Sequence, residues 1–137
     1  MTLGPSAWPE ADCDHYWKIQ QTALPGNPPA RGKGGAVATA LNGLAADGSS
    51  AGIKVGETMT VENYLKCMLN VSANEACDVL AEAVSGSVSA FVDAMNAKAK
   101  ELGCKNTHFM NPHGLHDPQH YTTADDLYKI TKYAMSL

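Results

Sequence analysis

The sequence predicts a mostly α protein preceded by an irregular segment, and three observations carry that expectation. Five of the seven prolines (Pro5, Pro9, Pro25, Pro28, Pro29), both tryptophans and the glycine-rich stretch "ARGKGGA" fall before residue 40. From residue 60 onward apolar side chains recur at i, i+3, i+4 and i+7, the period of a helix with one buried face. Those runs are bracketed by residues that start and stop helices: Thr60, Ser87 and Thr123 before them, Gly86 and Gly103 after them.

Residues 1–38 show no lasting helical or strand period. Such a segment buries too little apolar surface to offset its ordering entropy, so it is expected to be irregular and distinct from the domain that follows over 39–137. "AVATALNGLAA" (36–46) is rich in alanine and leucine and predicts a short helix. "DGSSAGIKVGETMT" reads as a turn, a short extended piece and a second turn. Val61, Tyr64, Leu65, Met68 and Leu69 then line one face of a helix capped by Thr60. Ala76, Val79, Leu80, Ala83 and Val84 line a second, stopped near Gly86. Ser87 caps a third, with Val88, Phe91, Val92, Met95, Ala99 and Leu102 inward. A long loop, "NTHFMNPHGLHDPQHYT", has room for a short strand near Thr107–Met110. Thr123 with Asp126 then caps a last helix carrying Leu127, Ile130 and Ala134 inward.

A chain of 137 residues is one domain's worth. Its formal net charge of -4, with no basic stripe, argues against nucleic acid as a partner and against charge-driven binding to anionic membranes. No run is long enough to predict a membrane span, and the N-terminus lacks the basic start and apolar core of a secretory signal. Cys13, Cys67, Cys77 and Cys104 show no C-x-x-C spacing and are expected to be free, acting as small hydrophobes.

Several residue groups invite a chemical reading. Ser72 followed three residues later by Glu75 has capping-box spacing, the serine oxygen accepting from the Glu75 amide and the carboxylate reaching back. His108, His113, His116 and His120, with Cys104, crowd potential ligands into one loop. Zinc prefers tighter pairs, and Pro118 disfavours a helical pair of His116 and His120 (i, i+4), so loop-bracing or solvated histidines are expected and no metal or cofactor. Lys54 has no serine three residues before it and reads as a surface lysine. Asp125 and Asp126 are explained by the helix dipole they oppose, and Met59, Met68, Met95 and Met110 as core filling.

The blocks "GSSAGIKVGE", Ser72-Ala73-Asn74, "MNAKAKELG" and "NTHFMNPHGL" followed by "HYTTADDL" occur in this order without an obvious gap. Together they resemble the serine-type D-alanyl-D-alanine carboxypeptidases, the low-molecular-weight penicillin-binding proteins, from about Gly48 to Met135. The resemblance implies the helical portion of a β-lactamase/transpeptidase-like α/β fold, here with most of the sheet absent. It also implies acyl-enzyme chemistry on peptidoglycan stem peptides, with β-lactams as ligands and an extracytoplasmic setting. Carried over residue by residue, Ser72 is the proton-relay serine of an S-x-N motif and Asn74 its orienting amide.

Two of the family's three motifs are missing. No serine is followed by lysine three residues on, and there is no K-T-G. Acyl transfer by this route needs its nucleophile, so the sequence predicts an inactive portion of such an enzyme, a fragment or a frameshifted product. Translation of the locus in all three frames tests this. The alternative is a non-catalytic helical module that binds peptidoglycan peptide or a protein partner. In either case helices shaped to cover a sheet would leave apolar surface exposed, which predicts marginal stability or self-association.

Overall fold

The computed structural model describes residues 37–41, 44 and 47–136. Among these, two short strands and four helices follow in the order β1 (Val37–Thr39), β2 (Thr58–Thr60), α1 (Val61–Val71), α2 (Asn74–Ser85), α3 (Val88–Glu101) and α4 (Ala124–Ala134). The mostly α architecture is as expected, with a single two-stranded sheet. The expected irregular segment lies, apart from its last two residues, outside the described residues, as does Cys13.

The short helix expected over 36–46 falls partly outside the described residues, and the described part is not helical. Val37–Thr39 is instead a strand, antiparallel to Thr58–Thr60, with Val37 opposite Thr60 and Thr39 opposite Thr58. An isolated helix of this length is marginal, whereas β-branched Val37 and Thr39 suit a pleated surface and find a partner strand. The Thr39 and Thr58 hydroxyls lie 2.8 Å apart, and the pairing runs on through the Ala40 amide to the Glu57 carbonyl at 3.0 Å. Ala38 and Ala40 thereby turn into the core.

The helix starts follow the capping residues read from the sequence. Thr60, Ser87 and Thr123 accept from the amides of Asn63, Ala90 and Asp126, at 3.2, 3.1 and 3.2 Å. Gly86 ends α2 in the left-handed conformation, its amide donating to the Glu82 carbonyl at 2.8 Å. No described helix is long and apolar enough to cross a membrane.

The core lies where β1 and the faces of α1 and α2 meet: Ala38, Ala40, Ile53, Val61, Tyr64, Leu65, Ala73, Ala76, Val79 and Leu80, with Met59 and Met68 against it. Tyr64 is wholly buried and its hydroxyl donates to the Glu57 carbonyl at 2.9 Å, which meets the polar requirement of that burial. Around α3 and α4 the packing is thinner, with Ala99, Cys104 and Asp126 buried. Three expected inward residues are in fact exposed: Ala83, Leu127 and Met110. For Ala83 and Leu127, helical period fixes one stripe, and where no second element covers the edge of that stripe it stays in solvent; Met110 lies on the loop, outside any helix. The strand expected near Thr107–Met110 is reduced to one antiparallel bridge, His108 with Tyr121.

Candidate functional site

The break between α1 and α2 is built on an unusual serine. Ser72 ends α1 at φ 56, ψ 37, and among the described residues it is the only non-glycine with positive φ. A left-handed L-residue costs about 1–2 kcal/mol, and glycine or asparagine is the usual choice there. The capping box expected from Ser72 and Glu75 therefore does not form. An N-cap needs extended backbone, and that position is taken by Ala73, which has no side chain to cap with. Ser72 is exposed, facing solvent at the rim of the break.

Asn74 opens α2 and is 9% exposed. Its side-chain Nδ2 donates to the Asp47 carbonyl at 2.9 Å, and its backbone amide donates to the Ser49 carbonyl at 3.0 Å. The loop 47–53 thus supplies the acceptors that the free end of α2 lacks. Gly48 sits against that side chain at φ 83, where a Cβ would come within 2.5 Å of Asn74 Nδ2 and 3.2 Å of Leu115. Glycine is required there both by conformation and by space.

Glu75, next along α2, is 2% exposed and turns away from Ser72. Its Oε1 accepts from the Ser50 hydroxyl at 2.6 Å and from the amides of Ala51, Gly52 and Ile53 at 2.7, 3.0 and 3.4 Å. Successive amides converging on one oxygen form a nest, and Gly52 at φ 75 allows the backbone to curl around it. Burial pushes the Glu75 carboxyl up, but the Ser50 hydroxyl and the surrounding backbone amides outweigh it and hold the group below its ordinary value. The same charge, after burial itself, helps to raise the Cys67 thiol; burial and then Asp78 push Cys77 up to about 11. Both cysteines are free and, as thiols, poor nucleophiles. The sequence flagged Glu75 only as a capping partner. The signal for its real role lay 22 to 25 residues away in "GSSAGI", which spacing within one helix could not reveal.

The histidines brace the long loop. His108 Nδ1 is 2.7 Å from the Gln119 carbonyl, His120 Nδ1 accepts from the Met110 amide, and His113 Nδ1 accepts from the Leu115 amide. His113 Nε2 lies 3.8 Å from Asp78 on α2, both largely buried, tying this loop to the helix that begins at Asn74. The described residues contain no cluster of three or more histidine, cysteine or acidic side chains placed for a metal ion. Lys54 is exposed on the loop leading to β2.

The sequence assigns Asp126 to the start of the last helix, with Thr123 and against the helix dipole, and the structure goes further. It is 1% exposed and accepts from the Asn106 amide at 2.8 Å, the Thr107 hydroxyl at 2.9 Å and the Lys129 ammonium at 2.9 Å. Lys129, first, then these other donors pull its carboxyl down to about 2, against the opposing effect of burial.

Comparison with known proteins bears directly on this arrangement. The D-alanyl-D-alanine carboxypeptidase family profile matches residues 34–137. The chain belongs to this family. It is 44% identical over 96 residues to D-alanyl-D-alanine carboxypeptidase DacF of Bacillus subtilis, covering 70% of this chain and 25% of that protein. Its fold matches the crystal structure of D-alanyl-D-alanine carboxypeptidase DacD from Francisella tularensis with a TM-score of 0.71 at 32% identity, over 87% of this chain and 27% of that one. Penicillin binding protein 5 from Haemophilus influenzae gives a TM-score of 0.71 at 27% identity, over 89% and 35%. The chain therefore spans about a quarter of the length of the curated carboxypeptidases it matches. What it shares with them is the helical part of the α/β fold, and the α1–α2 break lies inside it.

Proposed function

We propose that this chain supplies the S-x-N wall of a serine-type D-Ala-D-Ala carboxypeptidase site, with Ser72 as the relay hydroxyl and Asn74 as the orienting amide. The observation that supports the reading most is the left-handed Ser72. A strained serine is retained where glycine would cost less, with its hydroxyl exposed two residues before a buried, clamped asparagine. Ser72 would pass a proton within the network of a nucleophilic serine and its lysine partner, and Asn74 would align the substrate's peptide amide. Neither S-x-x-K nor K-T-G occurs in the sequence, so this chain carries the relay wall without the nucleophile. The substrate class we assign, the C-terminal D-Ala-D-Ala of a peptidoglycan stem peptide, is the one that family membership supports.

Two experiments test it. Labelled penicillin incubated with the chain alone should give no covalent adduct, and an adduct would overturn the absence of a nucleophile. Residues 47–136 transplanted into the Bacillus DacF relative in place of its matching segment should restore penicillin acylation. In that chimera Ser72→Ala should slow acylation by about 10²–10⁴, the range of a lost proton-transfer group, and Asn74→Ala by about 10²–10³, the range of a lost positioned amide. Unchanged acylation in both variants would sink the assignment.

A second reading, self-association or docking on further protein, is favoured by the exposed Leu127, Tyr128 and Met135 on and just beyond α4. Sedimentation that shows a monomer at all concentrations would count against it.

A further inference from the structure

We propose that Glu75 is the positioning residue of the S-x-N wall: its carboxylate latches loop 47–53 onto the start of α2, and the latched loop sets the side-chain orientation of Asn74. The inference rests on the reading of Ser72 and Asn74 given above, and deepens it.

Asn74 and Glu75 grip the same loop at different points. Asn74 uses its side-chain amide on the Asp47 carbonyl and its backbone amide on the Ser49 carbonyl. Glu75 gathers Ser50, Ala51, Gly52 and Ile53, the four residues that follow directly. A rotamer about Asn74 χ1 and χ2 is free to change unless the carbonyl that holds Nδ2 is itself fixed. Loop residues 48–52 are exposed, so no burial of their own side chains fixes them; Ile53 is the first that is buried. The Glu75 nest is what immobilises the stretch between Asn74's two acceptors and Ile53. Gly48 closes the arrangement, because its bare Cα lets the loop press on Asn74 Nδ2 where any Cβ would displace it.

The latch is anionic and has no cation of its own among the described residues. The titratable groups that sense its charge are the Cys67 thiol from α1 and the Cys77 thiol from α2. Its second oxygen, Oε2, is buried without a hydrogen-bond partner among the described residues. A buried carboxylate with half its acceptors idle is costly as a helix-stabilising device, since hydrogen-bonded burial is the condition for its being tolerated. As a device that collects three consecutive amides it has no neutral equivalent of the same strength.

The test uses the isotope-labelled chain. In the unaltered protein the Glu75 carboxyl and the Asn74 side-chain amide are followed by NMR from about pH 7 to pH 3, together with exchange at the amides of Ala51 and Gly52. The expected result is one shared midpoint: as Glu75 takes up its proton, the Asn74 Nδ2 signals move and protection at 51 and 52 falls about tenfold or more, while α3 amides keep theirs. Glu75→Ala should lose that protection at every pH. Glu75→Gln, which keeps one acceptor oxygen, should restore part of it with no pH dependence. Asn74 signals that ignore the Glu75 titration overturn the proposal, and so does Glu75→Ala with wild-type protection at 51 and 52. The reading of Ser72 and Asn74 fails separately, if Ser72→Ala and Asn74→Ala both leave acylation unchanged in the DacF chimera.

Discussion

Glu75 and Asp126 are built alike and solved differently. Each is an acidic residue in the first turn of a helix, each is almost wholly buried, and each reaches about 20 residues or more along the chain to hold a loop, Glu75 by three amides and a hydroxyl and Asp126 by one amide and a hydroxyl. Asp126 has a cation in the same turn: Lys129 lies 2.9 Å from its Oδ1 and 2.7 Å from the Asp125 carboxylate. Glu75 is held by a hydroxyl and amides alone and leaves one oxygen idle. A neutralised buried carboxylate is a fastening. One left with its charge beside a strained serine and a clamped asparagine puts part of the local stability at the disposal of the proposed site.

Substitution breaks the comparison most strongly at Glu75. Glu75→Ala strands three converging amides and is expected to lose about 3–5 kcal/mol, read as a shift in the urea midpoint at constant slope. Asp126→Asn should be milder, with Tm lowered by about 4–8 °C in a calorimetric scan, because Lys129 keeps Asp125 as a partner. If the aspartate substitution proves the more damaging, the contrast between the two clamps is wrong.

Acid separates the two clamps without mutation. Both carboxyls sit below their ordinary values when folded, so each stabilises above its unfolded value and loses that contribution as the pH falls through the folded one. For Asp126 the window runs from the ordinary 3.8 down to about 2. For Glu75 it opens below 4.5. Amide exchange followed on acidification should therefore show loop 50–53 loosening before loop 106–107, and the reverse order would contradict the assigned partners. The smallest effect is a gain. Ser72→Gly relieves the left-handed strain and should raise stability by about 0.5–1 kcal/mol, as the proposed relay role, rather than a folding role, would have it. A loss on denaturation would mean that the serine hydroxyl itself stabilises the break.

Local rules served well wherever the answer lies within a few residues. The caps at Thr60, Ser87 and Thr123, the stop at Gly86 and the apolar stripe of α1 are consequences of backbone groups that must be satisfied within one turn. They failed at Val37–Thr39, where pairing with Thr58–Thr60 overrode the propensity of an alanine-rich stretch. They failed again at Leu127, since period alone does not say which elements arrive to cover a face, and at Met110, since an apolar side chain on a loop is buried only where the loop folds over the core.

The sequence by itself determined the helices, the family and the order Ser72-Ala73-Asn74, because spacing and residue type are properties of the chain. Only the tertiary structure decided what Ser72 and Glu75 do. Their spacing fits a capping box, yet Ser72 turned left-handed and the carboxylate found four donors on a loop more than 20 residues away. A buried charge takes the strongest set of donors within reach, and which donors come within reach is settled by packing.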